Sequence, residues 1–336
     1  MTASTRIVSA SPHIKQGDST PTIMWSVVAS LVPVVASAIY FFGPSAILVL
    51  AASTAGALAP ESLLGGRGAR SLRDGSAAIT GILLGLTLPP GIPLWMAFLG
   101  GAFGIGFGKL VFGGLGQNVF NPALLGRAFL QAAFPVAITT WPIRAESWWS
   151  LRGDNFALPL MSPSVPEAMT GATPLGLMKF EQMTTPSWDL MLGTTGGSLG
   201  ETSGLIILIC GLYLAARRHL DWRIPASILG SVALFSTLLH GLDAARYPGP
   251  VFMLFSGGLM LGAVYMATDM VTSPVTHRGC WIFGAGIGFL VLVIRLWGGL
   301  SEGVMYAILL MNALVPFINR ATQPRIFGTL GVGGES

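Results

Sequence analysis

Ten runs of mostly apolar residues, each 15 to 23 long, decide what this chain can fold into. They lie at 22–42, 44–60, 75–92, 94–111, 117–139, 203–217, 224–240, 250–272, 279–297 and 302–319. About 20 apolar residues in a helix cross the hydrocarbon core of a bilayer, and such a run has no polar face to offer water. Only 10% of the 336 residues are charged, against roughly 25% in a soluble domain, too few to coat a water-facing surface. The 45 Gly and 22 Pro suit packed transmembrane helices, which tolerate them. The predicted fold class is therefore an all-α integral membrane protein of about ten transmembrane helices. The first 21 residues are polar and the first run has no small-residue cleavage site, so it reads as a retained span and not as a removed signal peptide.

The basic residues sort by connection. Arg67, Arg70 and Arg73 follow the second run, Arg217, Arg218 and Arg223 surround the gap after the sixth, and Arg320 and Arg325 follow the tenth. If every run crosses, these segments share one side, which the positive-inside rule makes the cytoplasm, together with both termini. The long connection 140–202 then lies outside. It carries three basic residues, Arg144, Arg152 and Lys179, against six acidic ones, Glu146, Asp154, Glu167, Glu181, Asp189 and Glu201, a net of −3. The net charge of +4 for the whole chain thus reports orientation and gives no reason to expect a nucleic-acid partner.

Residues 78–125 can be laid on 263–310 without a gap, an offset of 185, with 11 identities in 48. Thr87 and Pro89 fall on Thr272 and Pro274, Gly101 on Gly286, and Phe112-Gly113-Gly114-Leu115 on Trp297-Gly298-Gly299-Leu300. Five runs per half force the halves into opposite orientations, so the expectation is two inverted five-helix repeats. Their broken helices, at Leu88-Pro89-Pro90-Gly91 and Thr272-Ser273-Pro274, would meet near the midplane around a binding site. The chain divides accordingly into 1–139, a polar segment and the first repeat; 140–202, the extracytoplasmic connection; and 203–336, the second repeat and a cytoplasmic tail.

Chemistry has few places to reside. Cys210 and Cys280 stand in apolar runs without a CxxC or a Cys/His cluster, which excludes a Cys-ligated iron–sulfur centre or structural zinc within the chain; both read as buried thiols. His13, His219, His240 and His277 lack ligand spacing, so no metal site is predicted, and no catalytic side chain is assigned. Asn118 and Asn121, at the start of the fifth run, put two amides three residues apart on one helix face. They suit either a polar helix end capped by Asn or the edge of a flat heteroaromatic whose carbonyl and N–H groups need two-sided partners. Asp269 falls inside the eighth run, before the proline break. An ionisable residue in a span marks function by default, here an ion pathway; the other reading is a salt partner for Arg127, His277 or Arg278. Lys109, Arg295 and Glu302 sit at run ends and read as snorkelling or interfacial.

The connection 140–202 contains Glu167-Ala168-Met169-Thr170-Gly171-Ala172-Thr173-Pro174. With it, and with Ser11-Pro12-His13, Asp74-Gly75-Ser76, Gly116-Gln117-Asn118-Val119-Phe120-Asn121-Pro122-Ala123 and Met266-Ala267-Thr268-Asp269, the chain resembles, nearly end to end, the family of membrane subunits RnfD and NqrB. These belong to the Rnf electron-transport complex and the sodium-pumping quinone reductase; the short chain and N-terminal segment look more like the RnfD branch. In that family the last Thr of the Ser/Thr-Gly-Ala-Thr element is esterified to the phosphate of FMN by a flavin transferase outside the cytoplasm. The resemblance implies covalent FMN on Thr173, with Gly171 and Ala172 small enough to expose the hydroxyl. The family usually has Asp six residues earlier, where this chain keeps a carboxylate as Glu167. It also implies a second, noncovalent flavin, riboflavin in the NqrB branch, at Asn118 and Asn121. The implied function is an electron-carrier subunit of an ion-translocating ferredoxin:NAD oxidoreductase in the bacterial cytoplasmic membrane, coupled to sodium or proton transport. Its implied partners are the other membrane subunits, an extracytoplasmic flavoprotein subunit and the flavin transferase. The rival class is a urea-type solute channel, also built from two inverted five-helix halves; a plain membrane scaffold is a third.

Overall fold

The computed structural model describes residues 19–65, 68–142, 147–159, 172–193, 195–201, 203–244 and 246–324. Ser11-Pro12-His13, Arg67, Arg144, Glu146, Glu167, Thr170, Gly171 and Arg325 lie outside the described residues. Among the described residues there is no β-strand, and the helices run α1 (Thr20–Phe42), α2 (Pro44–Leu64), α3 (Ser76–Leu86), α4 (Leu94–Ile105), α5 (Pro122–Ala133) and α6 (Pro135–Thr139). The connection holds α7 (Pro174–Gly176) and α8 (Ser187–Leu192). Then follow α9 (Gly204–Ala216), α10 (Arg223–Leu242), α11 (Pro250–Phe255), α12 (Leu259–Leu261), α13 (His277–Trp297) and α14 (Val304–Thr322). Single π-helical turns extend α4 over Gly106–Leu110 and α12 over Gly262–Met266.

Every predicted run contains helix, but the runs are not equal. Five helices, α1, α2, α10, α13 and α14, are long and apolar enough to cross a membrane. The other five runs hold shorter or broken helices. Gly43, at φ 67°, turns the chain from α1 into α2 and is pressed against the Trp148 carbonyl, so two adjacent apolar runs become two helices. The fifth run was expected to be helical from residue 117. It begins at Pro122 instead, because Asn121 caps it, its Oδ1 accepting from Ala123 N (3.0 Å) and Leu124 N (3.3 Å), and Pro122 needs no N–H partner in the first turn. The eighth run breaks earlier than Thr272-Ser273-Pro274. Ser256-Gly257-Gly258 separate α11 from α12, with Gly257 at φ 66°, a conformation L side chains avoid, and regular helix has ended by Met266.

The helices approach closely where they carry small residues. A Cβ on Gly56 would stand on the backbone of Phe98 in α4, and one on Gly101 on the backbone around Ser53–Ala57 in α2. In the second half, Gly284 and Gly288 of α13 leave room for Ser227 and Ser231 of α10. Without a hydrophobic drive between helices in lipid, such contacts hold a bundle by van der Waals packing. One apolar core runs from Leu31 in α1 to Val315 in α14, so the halves are not separate bodies.

The connection between the halves lies across one end of the bundle. Trp148 Nε1 donates to Tyr40 O (3.2 Å) and Arg152 Nη2 to Phe41 O (3.0 Å), at the end of α1. Asn155 Nδ2 donates to Pro90 O (2.9 Å) and Ile92 O (3.0 Å), supplying partners for the carbonyls freed at the Leu88-Pro89-Pro90-Gly91 break. Lys179 Nζ closes the far end of α13 by donating to Ile294 O, Gly298 O and Leu300 O at 3.2, 2.5 and 2.7 Å.

Candidate functional site

Under the connection is a cavity of about 480 Å³, bounded by Arg127, Gln131, Trp141, Thr173, Glu201 and Glu302 among others. Thr173 belongs to its wall. It caps α7, its Oγ1 accepting from Gly176 N at 3.1 Å, and is only 9% exposed, whereas Ala172 beside it is exposed. The expectation that small neighbours lay the hydroxyl open is therefore corrected: capping turns the side chain inward, toward the cavity.

Charges gather on the same wall from elements far apart in sequence. Arg127 of α5 donates through Nη1 to Thr87 O (2.6 Å), at the end of α3, and through Nη2 to Glu302 Oε2 (3.2 Å). Glu302 accepts from Gly258 N at the start of α12. Arg295 of α13, with 0% of its surface exposed, donates to Met253 O (2.6 Å) and Ser256 O (2.8 Å) at the end of α11. The break between α11 and α12 is thus held with a cation on its carbonyl end and an anion on its N–H end, each where the helix dipole favours it. Glu201, ending a 3-10 turn Leu199–Glu201, accepts from Ser198 Oγ at 2.8 Å. Burial, and then the negative charge of Glu302, push its carboxyl up to about 8.

These positions correct three readings. Arg127 pairs with Glu302 and not with Asp269. Lys109 and Arg295 are buried rather than snorkelling: Lys109 Nζ lies 2.9 Å from Glu61 Oε1 and donates to Ser76 Oγ (2.7 Å). Glu302 is part of an ion pair and not a plain interface residue. From the sequence Glu201 is only one acidic charge in the connection, with no spacing that ties it to this cluster.

A second, smaller cavity, of about 90 Å³, brings together Asn118, Asn121 and Asp269 with Lys109, Thr80 and Tyr265. It borders Ile23 and Met24 in the first turns of α1, opposite the end that the connection covers. Asn118 and Asn121 do not share a helix face, since neither is helical, yet they share this wall. Asn121 is committed on both sides: besides capping α5 it donates Nδ2 to Met266 O at 3.1 Å. Asp269 is not inside a helix. It sits in the turn after Met266, where Val271 N (3.3 Å) and Thr272 Oγ1 (3.2 Å) donate to it, with Asn118 on the same cavity wall donating Nδ2 to Phe120 O at 3.5 Å. The capping reading holds for Asn121, and Asn118 lines the cavity with Asp269. Cys210 and Cys280 are both buried free thiols, as read.

The two sites fit a flavin differently. Ligand pockets usually span about 300 to 1,000 Å³. The outer cavity falls in that range and has on its lining the Thr173 hydroxyl, the Arg127 guanidinium paired with Glu302, the further carboxyls Glu181 and Glu201, and the rings of Trp141, Phe180 and Tyr306. The inner cavity has suitable donors and acceptors but less room, so a ring system enters it only if side chains such as Met24 and Met270 move aside.

Residues 7–328 match the family described as NQR2, RnfD, RnfE. The D subunit of the ion-translocating oxidoreductase complex of Stutzerimonas stutzeri is 43% identical over 327 residues, 91% of either chain. The D subunit of the proton-translocating ferredoxin:NAD(+) oxidoreductase complex of Clostridium ljungdahlii is 39% identical over 334 residues, 96% of either chain. Its counterpart in the Na(+)-translocating ferredoxin:NAD(+) oxidoreductase complex of Acetobacterium woodii is 40% identical over 335 residues, 98% of this chain and 97% of its own.

Proposed function

The chain belongs to the NQR2, RnfD, RnfE family, and from that premise we propose that it is the electron-carrying membrane subunit of an ion-translocating ferredoxin:NAD oxidoreductase, with FMN esterified to Thr173. The observation that carries the reading is the placement of Thr173 on the wall of a flavin-sized cavity beside Arg127. Bound there, FMN supplies one-electron redox chemistry that no side chain of this chain provides. What the chain contributes is position. The α7 cap fixes the Thr173 hydroxyl, Trp141, Phe180 and Tyr306 line the cavity that a flat ring would enter, and the connection covers the site. Arg127 offsets negative charge while tied to Thr87 O and Glu302. The partners under this reading are the other subunits of the complex and a flavin transferase on the exported side.

The second part of the proposal is a noncovalent flavin at the inner cavity, with Asn118 and Asp269 at its polar edge, and Asp269 on the ion pathway. The two cavities lie toward opposite ends of the bundle, as a relay across a membrane requires. The relatives at 39% and 40% identity are named for different ions, the proton and Na(+), so similarity to them does not select the ion here.

The third part is topology: ten crossings in two inverted halves, both termini in the cytoplasm, in the bacterial inner membrane. Helix order supports it, since α4 and α5 are matched 185 residues later by α13 and α14. So does one repeated hydrogen bond. Arg127 donates to Thr87 O, and Asn312 donates to Thr272 O at 3.4 Å; both donors and both acceptors are 185 residues apart.

The test is Thr173→Val in the assembled complex, with flavin fluorescence of the denatured chain on a gel and peptide mass spectrometry. The variant should lose covalent flavin and keep its membrane assembly. Flavin retained on the variant, or found on Thr170, defeats the assignment.

A further inference from the structure

We infer that Glu201 is an exchangeable proton-binding site of the outer cavity, holding a proton that it trades with water of the exported side and that negative charge in the cavity makes it hold more tightly. The inference rests on the proposed function for the source of that charge, a reduced flavin on Thr173, and for the side of the membrane that the cavity faces.

The geometry sets Glu201 apart from its neighbours. Its turn is wedged between the halves: Leu199 N donates to Leu88 O (3.1 Å), and Gly200 packs on the Leu86 carbonyl and on Leu261. A Cβ on Gly197 would collide with the Glu201 carboxyl, so the group lies tight against its own turn. Of the charged residues facing it, Arg127 comes from α5, Glu302 from the turn before α14, Arg295 from α13 and Glu181 from the cavity rim after α7. The other elements packed on its turn, α1, α3 and α12, contain no charged residue. Arg127 gives Nη1 to Thr87 O and Nη2 to Glu302, and Arg295 gives its two Nη atoms to Met253 and Ser256. Glu302 is therefore the carboxylate with a cation. Among the described residues Glu201 has the Ser198 hydroxyl and no ion pair.

The charges of Arg127 and Arg295 reach both carboxyls, but only Glu302 is held in an ion pair; Glu201, buried beside that negative charge, keeps its proton to a higher pH than an exposed carboxyl does. Burial and the Glu302 charge bring its ionisation to about 8, within reach of physiological pH, as a group that gains and loses a proton in use requires. The route for the proton is the cavity itself. Glu201 is partly accessible and lines it, and Thr139, Phe180 and Glu181 at the cavity are exposed. The balance is simple. Ionised Glu201 takes one proton from exported-side water, forming one O–H bond, when the cavity gains one negative charge; when that charge leaves, the bond breaks and the proton returns to the same water. No electron passes through Glu201.

The experiment uses the purified complex. Infrared spectra of wild type, Glu201→Gln and Glu201→Asp are recorded across pH in H2O and D2O, and the midpoint potential of the covalent flavin is titrated over the same pH range. Wild type should show a protonated-carboxyl band that shifts in D2O and disappears with a midpoint near 8. Glu201→Gln should lack that band, and Glu201→Asp should retain one at shifted pH. The flavin potential should fall with rising pH in wild type through that window and lose that dependence in Glu201→Gln. A band unchanged in Glu201→Gln, one lost already in the ordinary carboxylate range, or an equal pH slope in both proteins overturns the inference. The infrared arm reads Glu201 with or without flavin, so it can fail or succeed separately from the assignment of Thr173. If Glu201→Gln does not assemble, the wild-type titration and Glu201→Asp still decide.

Discussion

Arg127 and Glu302, 175 residues apart, form an ion pair at 3.2 Å whose side chains are 11% and 19% exposed. Through it, the end of α3 at Thr87 is joined to the start of α12 at Gly258, so the broken helices of the two halves share one link. A buried pair adds little net stability over a well-packed apolar substitute, but removing one partner strands the other.

Arg127→Met alone should therefore destabilise the protein by about 3 kcal/mol, because Glu302 stays buried without its cation. Arg127→Met combined with Glu302→Gln should cost less than the sum of the two single changes. Thermal unfolding of the four proteins in detergent measures the difference; additive losses would mean that the two side chains do not act on each other.

The amides of the inner cavity should separate by role. Asn121→Leu removes a cap, worth about 1 kcal/mol, and leaves Met266 O unpaired at about 1 to 3 kcal/mol, so it should lower the melting temperature. Asn118→Leu should leave stability closer to wild type but release noncovalent flavin on extraction. Equal loss of stability in both variants would assign Asn118 to structure as well.

Asp269→Asn should keep both flavins and the melting temperature while slowing ion-stimulated turnover in reconstituted vesicles. Val271 N still finds an oxygen in the amide, whereas the charge that would offset an ion's dehydration is gone. Assembly lost with normal turnover per intact complex would make Asp269 a purely structural acceptor.

Stability should fall as pH rises through the window set by Glu201. Its carboxyl ionises at 4.5 in the open chain and about 8 in the fold, so the folded state binds the extra proton between those values. The contribution is complete below 4.5 and is lost as pH climbs to 8. Melting curves of wild type should decline more steeply over that range than those of Glu201→Gln; parallel curves would show that the fold does not hold the Glu201 proton there.

Topology is checked by single cysteines in a background lacking Cys210 and Cys280. A cysteine at Ser187 should react with an impermeant thiol reagent in intact cells, and one at Ser71 should not. The reverse pattern inverts the protein and puts Thr173 on the wrong side for a transferase of the exported compartment.

The sequence by itself determined that the chain is helical, where each helical run lies, and which segment joins the halves, because apolarity is local and adds along the chain. Proline and glycine likewise marked where helices must break, although not the residue at which each one ends. Only the tertiary structure decided the rest. Asp269 left its expected helix because regular helix stops at Met266, and Thr173 turned inward because it caps α7. Lys109 and Arg295 stand at run ends in the sequence but are buried in the fold, against Glu61 and against the carbonyls of Met253 and Ser256. A buried charge is tolerated only through its partners, and those partners come from other helices. Arg127, Glu201, Glu302 and Thr173 face one cavity although nothing in their spacing connects them, since packing of the two halves, and not sequence distance, sets which polar groups meet.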